Sequence, residues 1–593
     1  MSDLWVHPSL ILIAGALLLP AIPERLRKGW LLLVPLLVFA RIATLSKGTF
    51  GEVHLLQFTL TFGRVDALST VFGYIMALMC LLGTLYGLQV KRAAETMAAW
   101  AYVAGSLGAI FAGDLLTLFL FWELMAFSSV FLIWFRGRKE SLGTGYRYLL
   151  VHVAGGVSLL AGIVLHYHAT ASLAFVGFNV AHPALPDYLI LIGFVLNAAV
   201  PPFHAWLPDA YSEATFSGSV FLCAFTTKTA VYALCRGFAG MEILIPLGVV
   251  MALYGVVYAV LENDCRKLLA YHIISQVGYM VAGVGLGTQL AINGAVAHAF
   301  AHILYKGLLF MGTGSVLHMT GKSKFTELGG LYQKMPWTFA FTLIGGLSIS
   351  AFPLFSGFVS KSMIIQAGFE DHKLWMGFLL LLASSGTFLH TGLKVPYFIW
   401  FGKNHCSKET WEKAAEPPWN MIAAMAVTSF LCIFIGCYTP YLYRMLPYHP
   451  VDFHPYTSYH VFETLEILLF TALGFFLLIK KLEPEAKISL DLDWPYRMAG
   501  RAFLWFARKP VQATDSAVGE VYRTGGLRGL MSSAADIRVF DNRVIDGAVD
   551  GIGSTVRSMG GLFRRFQRGA LQENLTIVFA IAAALLIAFL LLA

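Results

Sequence analysis

Apolar runs of membrane-spanning length recur from one end of this 593-residue chain to the other, separated by short polar stretches. They lie near residues 7–22, 29–46, 66–90, 97–113, 115–135, 146–168, 186–200 and 217–238. Further runs lie near 243–262, 268–288, 291–317, 336–352, 375–401, 419–439, 461–480 and 574–593. Crossing a hydrocarbon core about 30 Å thick takes about 20 apolar residues of helix, and runs this long overshoot any barrel strand. The pattern predicts an all-α polytopic membrane protein with about 14–16 transmembrane helices.

Two runs are interrupted. "LNAAVPPFHAWLPDA" carries Pro201, Pro202 and Pro208, and "LSISAFPLFSGFVSK" carries Pro353 and Gly357. Proline removes a backbone donor and breaks a helix. Carbonyls freed at membrane depth are tolerated only inside protein or beside a hydrated cavity. One broken helix in each half is the sequence sign of two inverted repeats with ion sites at the breaks. From 483 to 573 the pattern changes, and no run there is long enough to span. Val539, Phe540, Val544, Ile545, Val549 and Ile552 follow a helical rhythm, with Arg538, Arg543, Asp546 and Asp550 between them. This predicts a lateral amphipathic helix along the membrane or a partner, ahead of a terminal anchor at 574–593. The plainer alternative is a soluble linker that tethers the last span.

Composition and charge sharpen the reading. Hydrophobic residues make up 58% of the chain and charged residues 13%, a balance no soluble fold needs. Basic clusters at 24–29, 90–95 and 135–140 follow the first, third and fifth runs. The positive-inside rule then puts them on the cytoplasmic side of a cell (inner or plasma) membrane, with the N-terminus outside. "ERLRKG" follows the first run with no cleavage signal, so that run reads as a retained span. Seven cysteines without a CxxC pair argue against disulfides, zinc and iron–sulfur clusters. No phosphate-binding glycine loop and no basic folded surface occur, so no cofactor, no metal and no nucleic acid are expected.

Ionisable residues inside the runs carry the candidate chemistry. Glu123 sits near the middle of "LLTLFLFWELMAFSSVFLIWF"; Lys228, Lys306, Lys361 and Lys394 sit in later runs. A charge at a helix centre costs about 2.5–3.5 kcal/mol even on insertion scales, so such groups normally face a bundle interior or water. His298, His302 and Lys306 are four apart and share one helix face over about 12 Å, and His390 and Lys394 repeat the spacing. Each could be a snorkelling lysine or a hydrogen-bonded core histidine, with Lys361 and Lys394 nearest a span end. Together they form a candidate chain of groups that exchange protons near neutral pH.

At these residues the sequence resembles the antiporter-like membrane subunits shared by respiratory complex I, Mrp-type multisubunit Na+/H+ antiporters and membrane-bound hydrogenases. The resemblance rests on "FWELM", "VPPFHAWLPDAYSEA", "LLAYHIISQVGYMVAG", "HAFAHILYKGLLFMGTGSV" and the stretch 328–361, and it covers most of 65–405. The tail, "FDNRVIDGAVDGIG…RRFQRGALQ" and the last span, resembles the lateral helix and anchor of the largest complex I subunit of this type. The resemblance implies that Glu123 and Lys228 serve an N-terminal half-channel. It makes His298, His302 and Lys306 the central connection, and Lys361 the lysine of the distal half-channel. Asn197 stands where the family usually has a lysine in the first broken helix. An amide can hydrogen-bond a carboxylate but brings no charge.

The expected organisation follows: N-terminal helices to residue 95, repeats at 96–240 and 241–405, added spans at 406–482, the lateral segment 483–573, then the anchor. The leading expectation is an ion-translocating subunit that moves H+, or H+ against Na+, beside other membrane subunits. Two alternatives stand: a scaffold whose first channel has decayed, which Asn197 favours, and a proton-coupled module for another solute such as inorganic carbon. The chain alone offers no place for redox chemistry, so an oxidoreductase label would belong to the assembly.

Overall fold

The structure is a computed structural model that describes residues 5–486, 490–566 and 571–592. Parts of the expected lateral segment (487–489 and 567–570) and Ala593 lie outside the described residues. The chain divides into two units, residues 1–493 and 494–593. Eleven described helices are long and apolar enough to cross a membrane, and three shorter apolar helices accompany them.

The first unit opens with α1 (Pro8–Leu18) and α2 (Glu24–Ala43). An antiparallel hairpin follows, β1 (Gly48–Leu55) with β2 (Phe58–Val65). Next come α3 (Ala67–Tyr86), α4 (Ala93–Phe111), α5 (Leu115–Trp134) and α6 (Lys139–Thr170). The first interrupted run becomes α7 (Leu185–Asn197) and α8 (Trp206–Glu213). The next run is also broken, into α9 (Gly218–Leu222) and α10 (Thr226–Gly237). Then follow α11 (Leu244–Leu261), α12 (Cys265–Leu286) and α13 (Gln289–Thr320). The second interrupted run becomes α14 (Pro336–Ile349) and α15 (Ser356–Glu370). Helix α16 (Leu374–Thr387) continues through wider π-type turns at Phe388–Lys394 and Tyr397–Phe401. Four more helices complete the unit: α17 (Lys408–Lys413), α18 (Trp419–Cys437), α19 (Thr439–Tyr443) and α20 (Ser458–Leu478).

An internal repeat is visible in matching details. Asp114 caps α5 and pairs in a β-bridge with Ala174; Asp264 caps α12 and pairs likewise with Lys324, each partner 150 residues on. Helices α6 and α13 both have 32 residues and begin 150 positions apart. At each break one alanine takes a left-handed conformation, Ala199 (φ 60°) and Ala351 (φ 57°), a strain on the order of 1 kcal/mol apiece. The copies are inverted. Arg136, just past the end of α5, and Arg266, at the start of α12, both donate to the Ser212 carbonyl, so equivalent helices run in opposite directions at that face.

Small residues set the closest approaches. Gly248 and Gly255 of α11 lie against the backbone of α12, and Gly278 and Gly285 of α12 against α11, with no room for a Cβ at any of them. Gly357 at the second break is held to the same standard: a Cβ there would overlap the Ser348 carbonyl.

The second unit begins with helical segments α21 (Trp494–Phe506), α22 (Gln512–Val521), α23 (Arg528–Phe540) and α24 (Asp546–Phe566), joined by π-type turns. At 1.5 Å per residue this run is about 110 Å long. Its apolar stripe, including Phe540, Val544 and Val549, is exposed, as an amphipathic helix awaiting a surface requires. Helix α25 (Leu571–Leu592) is the apolar terminal span.

Candidate functional site

The four in-span lysines are all at most 3% exposed, and each ammonium is met by a main-chain carbonyl. Lys228 Nζ donates to the Cys223 carbonyl at 2.6 Å, in the gap between α9 and α10, and to Thr227 Oγ1 at 3.1 Å. Lys361 Nζ donates to the Ile349 carbonyl at 2.9 Å, where α14 ends, and reaches Ser384 Oγ at 3.4 Å. Carbonyls that a helix break frees are thus what hold two of the charges. Lys306 Nζ donates to the Leu269 carbonyl of α12 at 2.9 Å. Lys394 donates to the carbonyls of Val260 and Glu262, at 2.7 and 3.0 Å.

In the second repeat a hydrogen-bonded run of polar side chains begins beside Lys361. Ser360, beside Lys361, meets His298 Nδ1 at 3.1 Å, and His298 Nε2 meets the Tyr305 hydroxyl at 3.3 Å. Tyr305 reaches Gln276 at 3.5 Å, and Gln276 reaches Thr387 at 3.3 Å. The rings of His298 and His302 are 6.2 Å apart, and those of His272 and His390 are 6.0 Å apart. His272, His302 and His390 are buried with neither ring nitrogen hydrogen-bonded to a described residue. Groups of this kind, spaced a water molecule apart, are what a hydrated hydrogen-bonded file requires. His390 and Lys394 lie on the widened turns of α16, and Lys394 reaches the main chain beside the Glu262–Lys267 ion pair (3.3 Å).

A cavity of about 810 Å³ opens onto this file at Lys361. Its wall includes Ser350, Ser384, Asp452, His460 and Glu463. Apolar side chains such as Phe358, Phe369 and Phe378 complete the wall, and the volume is large enough to hold water beside Lys361.

The first repeat is assembled differently. Glu123 is half-buried on α5, and its buried Oε1 has no hydrogen-bond partner among the described residues. It fits because α6 has glycine opposite: a Cβ at Gly156 would overlap Glu123 Oε1. Asn197, the last residue of α7, is fully buried with both amide atoms unpartnered among the described residues, and no hydrogen bond joins it to Glu123. Toward Lys228 the connecting groups are Ser129 with Tyr148 (2.8 Å) and Tyr102 with Thr226 (2.6 Å). Pro201 and Pro202 lie in the gap between α7 and α8, and Pro353 in that between α14 and α15, while Gly357 opens α15.

Sequence reasoning did not single out Tyr148, His152, His272, Gln276 or Tyr305. His152 and His272 were detectable as histidines inside apolar runs; the tyrosines look like ordinary core aromatics until the fold brings their hydroxyls to histidines and threonines. It also missed Asp491, which accepts from His204 Nε2 (3.1 Å), Tyr271 (2.5 Å) and Tyr254, fastening the segment after α20 to the first break and to α11 and α12. Burial pushes the Asp491 carboxyl up, but these donors outweigh it and hold it well below the usual carboxylate range.

Comparison with known proteins then gives a consistent picture. Residues 112–389 match the family described as NADH:quinone oxidoreductase/Mrp antiporter, transmembrane. The chain is 30% identical over 347 residues to a Na(+)/H(+) antiporter subunit of Alkalihalophilus pseudofirmus, covering 56% of this chain and 70% of that protein. It is 29% identical over 421 residues to hydrogenase-4 component B of Escherichia coli, covering 63% and 62%. Among solved structures, it resembles a chain of the Mrp complex from Dietzia sp. with TM-score 0.66 at 20% identity, covering 78% of this chain and 98% of that one. It also resembles a chain of the membrane-bound sulfane sulfur reductase, an archaeal respiratory membrane complex, with TM-score 0.67 at 23% identity, covering 98% and 99%.

Proposed function

We propose, from the premise that the chain belongs to the NADH:quinone oxidoreductase/Mrp antiporter transmembrane family, that it moves protons across the membrane as one subunit of a multisubunit complex. The observation that carries the reading is the buried file from the Lys361 cavity through Ser360, His298 and Tyr305 toward Lys306 and Lys394.

The chemistry favours H+ over Na+ along this file. Its central groups are imidazoles and amines, which bind and release protons; an ammonium has donors only and cannot ligate a metal cation. A proton arriving from the cavity loads Lys361. The added positive charge disfavours a second charge at the centre, so the next group releases its proton onward. Two charges about 12 Å apart, the span from His298 to Lys306, repel by about 1.4 kcal/mol at an effective dielectric of 20, a tenfold bias per step. In the first repeat Glu123 takes the role of the acidic end and Lys228 that of the basic one.

With the basic clusters cytoplasmic, the Lys361 cavity faces outward and Lys394 lies toward the cytoplasm. The second unit, with its exposed stripe and anchor, is read as the clamp on neighbouring subunits. The 98% coverage by a chain of a respiratory complex supports that reading, because it extends the likeness through this tail. The test is proton flux in vesicles carrying the assembled complex. Lys361→Met is expected to lower flux at least tenfold while assembly on native gels is unchanged. Wild-type flux from an assembled Lys361→Met complex would overturn the proposal.

A further inference from the structure

We propose that His152 is the proton-sharing partner of Glu123, meeting it across one bridging water where the first broken helix offers only the amide of Asn197. The inference rests on the proton-translocation reading and adds to it a residue of the first repeat.

Three observations converge on His152. The first is register. With α6 and α13 aligned from their starts, Tyr148, His152 and Gly156 fall at the positions of His298, His302 and Lys306. The same helix face that carries the central file in one copy carries a histidine in the other. Gly156 replaces the lysine, and the space it frees is taken by the Glu123 carboxylate from α5.

The second is orientation. His152 is 1% exposed, and its Nδ1 lies 2.9 Å from the Tyr148 carbonyl of the preceding turn. A carbonyl accepts only, so Nδ1 carries the hydrogen, and in the neutral ring Nε2 is an acceptor. Nε2 has no partner among the described residues. The ring is fixed by Tyr148 stacked at 4.0 Å and Trp206 edge-on at 4.5 Å, so the free nitrogen has a set direction. Buried polar atoms are in the large majority hydrogen-bonded, so an unpartnered nitrogen aimed in a set direction marks a place for a further partner.

The third is proximity by elimination. Residues 152 and 156 are one turn apart on one helix face, about 5–6 Å between Cβ positions. The Glu123 carboxylate occupies the Cβ position of residue 156, which puts it within one water of His152. Helices α5, α7 and α8 pack on α6. Beside Glu123, the charged groups they turn toward α6 include Asp187, 4.0 Å from His166, and Asp209, 3.3 Å from Arg147. Those pairs, and Glu213 of α8, which accepts from Ser141 at 2.9 Å, lie toward the two ends of α6, and the acid left for His152 is the half-buried Glu123. Tyr211 of α8, 6.0 Å from Trp206, adds a buried hydroxyl unpartnered among the described residues to the same neighbourhood.

The experiment reads Glu123 itself. Dicyclohexylcarbodiimide attacks protonated carboxyls in apolar surroundings, and the labelled fraction of Glu123 is measured by peptide mass spectrometry on membranes holding the assembled complex. Glu123→Gln abolishes the signal and certifies the site. When Nε2 takes the shared proton, Glu123 is left a carboxylate beside an imidazolium. His152→Gln, or His152→Phe where packing against Trp206 demands a ring, strands that proton on Glu123 and is expected to raise labelling at pH 8 at least threefold and to lower proton flux at least fivefold. Adding Asn197→Lys to the His152 variant supplies a cation from the broken helix and is expected to restore both readings. Unchanged labelling, or lost flux that Asn197→Lys does not rescue, overturns the proposal and leaves His152 a packing residue. If Glu123→Gln itself conducts normally, the transport reading fails, while the labelling change in His152→Gln still reports whether the two side chains share a proton.

Discussion

Replacing Lys306 by arginine separates a proton carrier from a fixed positive charge. Lys306 is fully buried near the middle of α13, with Nζ 2.9 Å from the Leu269 carbonyl. Arginine keeps the charge and a donor for that carbonyl, so the repulsion of about 1.4 kcal/mol felt by a charge 12 Å away is preserved. It does not keep the ability to let go. Deprotonating a guanidinium at pH 7 costs about 7.5–9 kcal/mol from its reference pKa alone, against about 5 for an amine in water, and burial assists the amine far more readily. Lys306→Met is the complementary change, removing both charge and proton while filling the space. The assay is dye-reported proton flux in vesicles with the assembled complex, normalised to subunit content on native gels. Both variants are expected to fall at least tenfold. Arginine adds bulk to a close-packed site at about 1–3 kcal/mol, which the native gel detects as lost assembly. An assembled Lys306→Arg complex within twofold of wild-type flux would refute the reasoning, because Lys306 would then act by charge alone.

Further outcomes follow from the first repeat and from the link after α20. Gly156→Ala puts a methyl group on Glu123 Oε1 and is expected to cost about 1–3 kcal/mol locally and to cut flux severalfold, checked by the same flux assay; no change would mean that the carboxylate is free to leave α6. Asp491→Asn weakens the junction with His204, Tyr254 and Tyr271, and limited proteolysis of the complex is expected to cut between Glu483 and Asp493 several times faster. The wild-type Asp491 carboxyl is held below its ordinary range, so its contribution is full above an unfolded pKa near 3.9 and fades only as pH falls below that value. The Asp491 carboxyl's share of the protection in wild type is therefore expected to be flat from pH 5 to 8, and a loss within that window would show that another group of the junction titrates there.

Much of this architecture was legible from periodicity. Apolar runs marked the spans, prolines marked the gaps after Asn197 and Ile349, and i, i+4 spacing put His298, His302 and Lys306 on one face. The β1–β2 hairpin passed unremarked because its alternating pattern abuts the long run of α3. The gap between α9 and α10 was not legible either: no proline or glycine marks Cys223–Phe225, and the Lys228 ammonium that sits on the Cys223 carbonyl is seen only in three dimensions. The broken helices announced two inverted repeats, but the 150-residue offset that pairs their helices was not legible, because the copies share cap and helix length more than residue identity. Tyr148 and His152 occupy the places of His298 and His302, and a glycine occupies that of Lys306. The Asp491 contact joins residues 287 positions apart, beyond the reach of any local pattern.

The most direct test is proton flux through the assembled complex carrying Glu123→Gln, a substitution that keeps shape and removes one exchangeable proton. A drop of at least tenfold with assembly intact is the predicted result. Flux equal to wild type would contradict the claim that buried ionisable groups in this chain pass protons from one to the next.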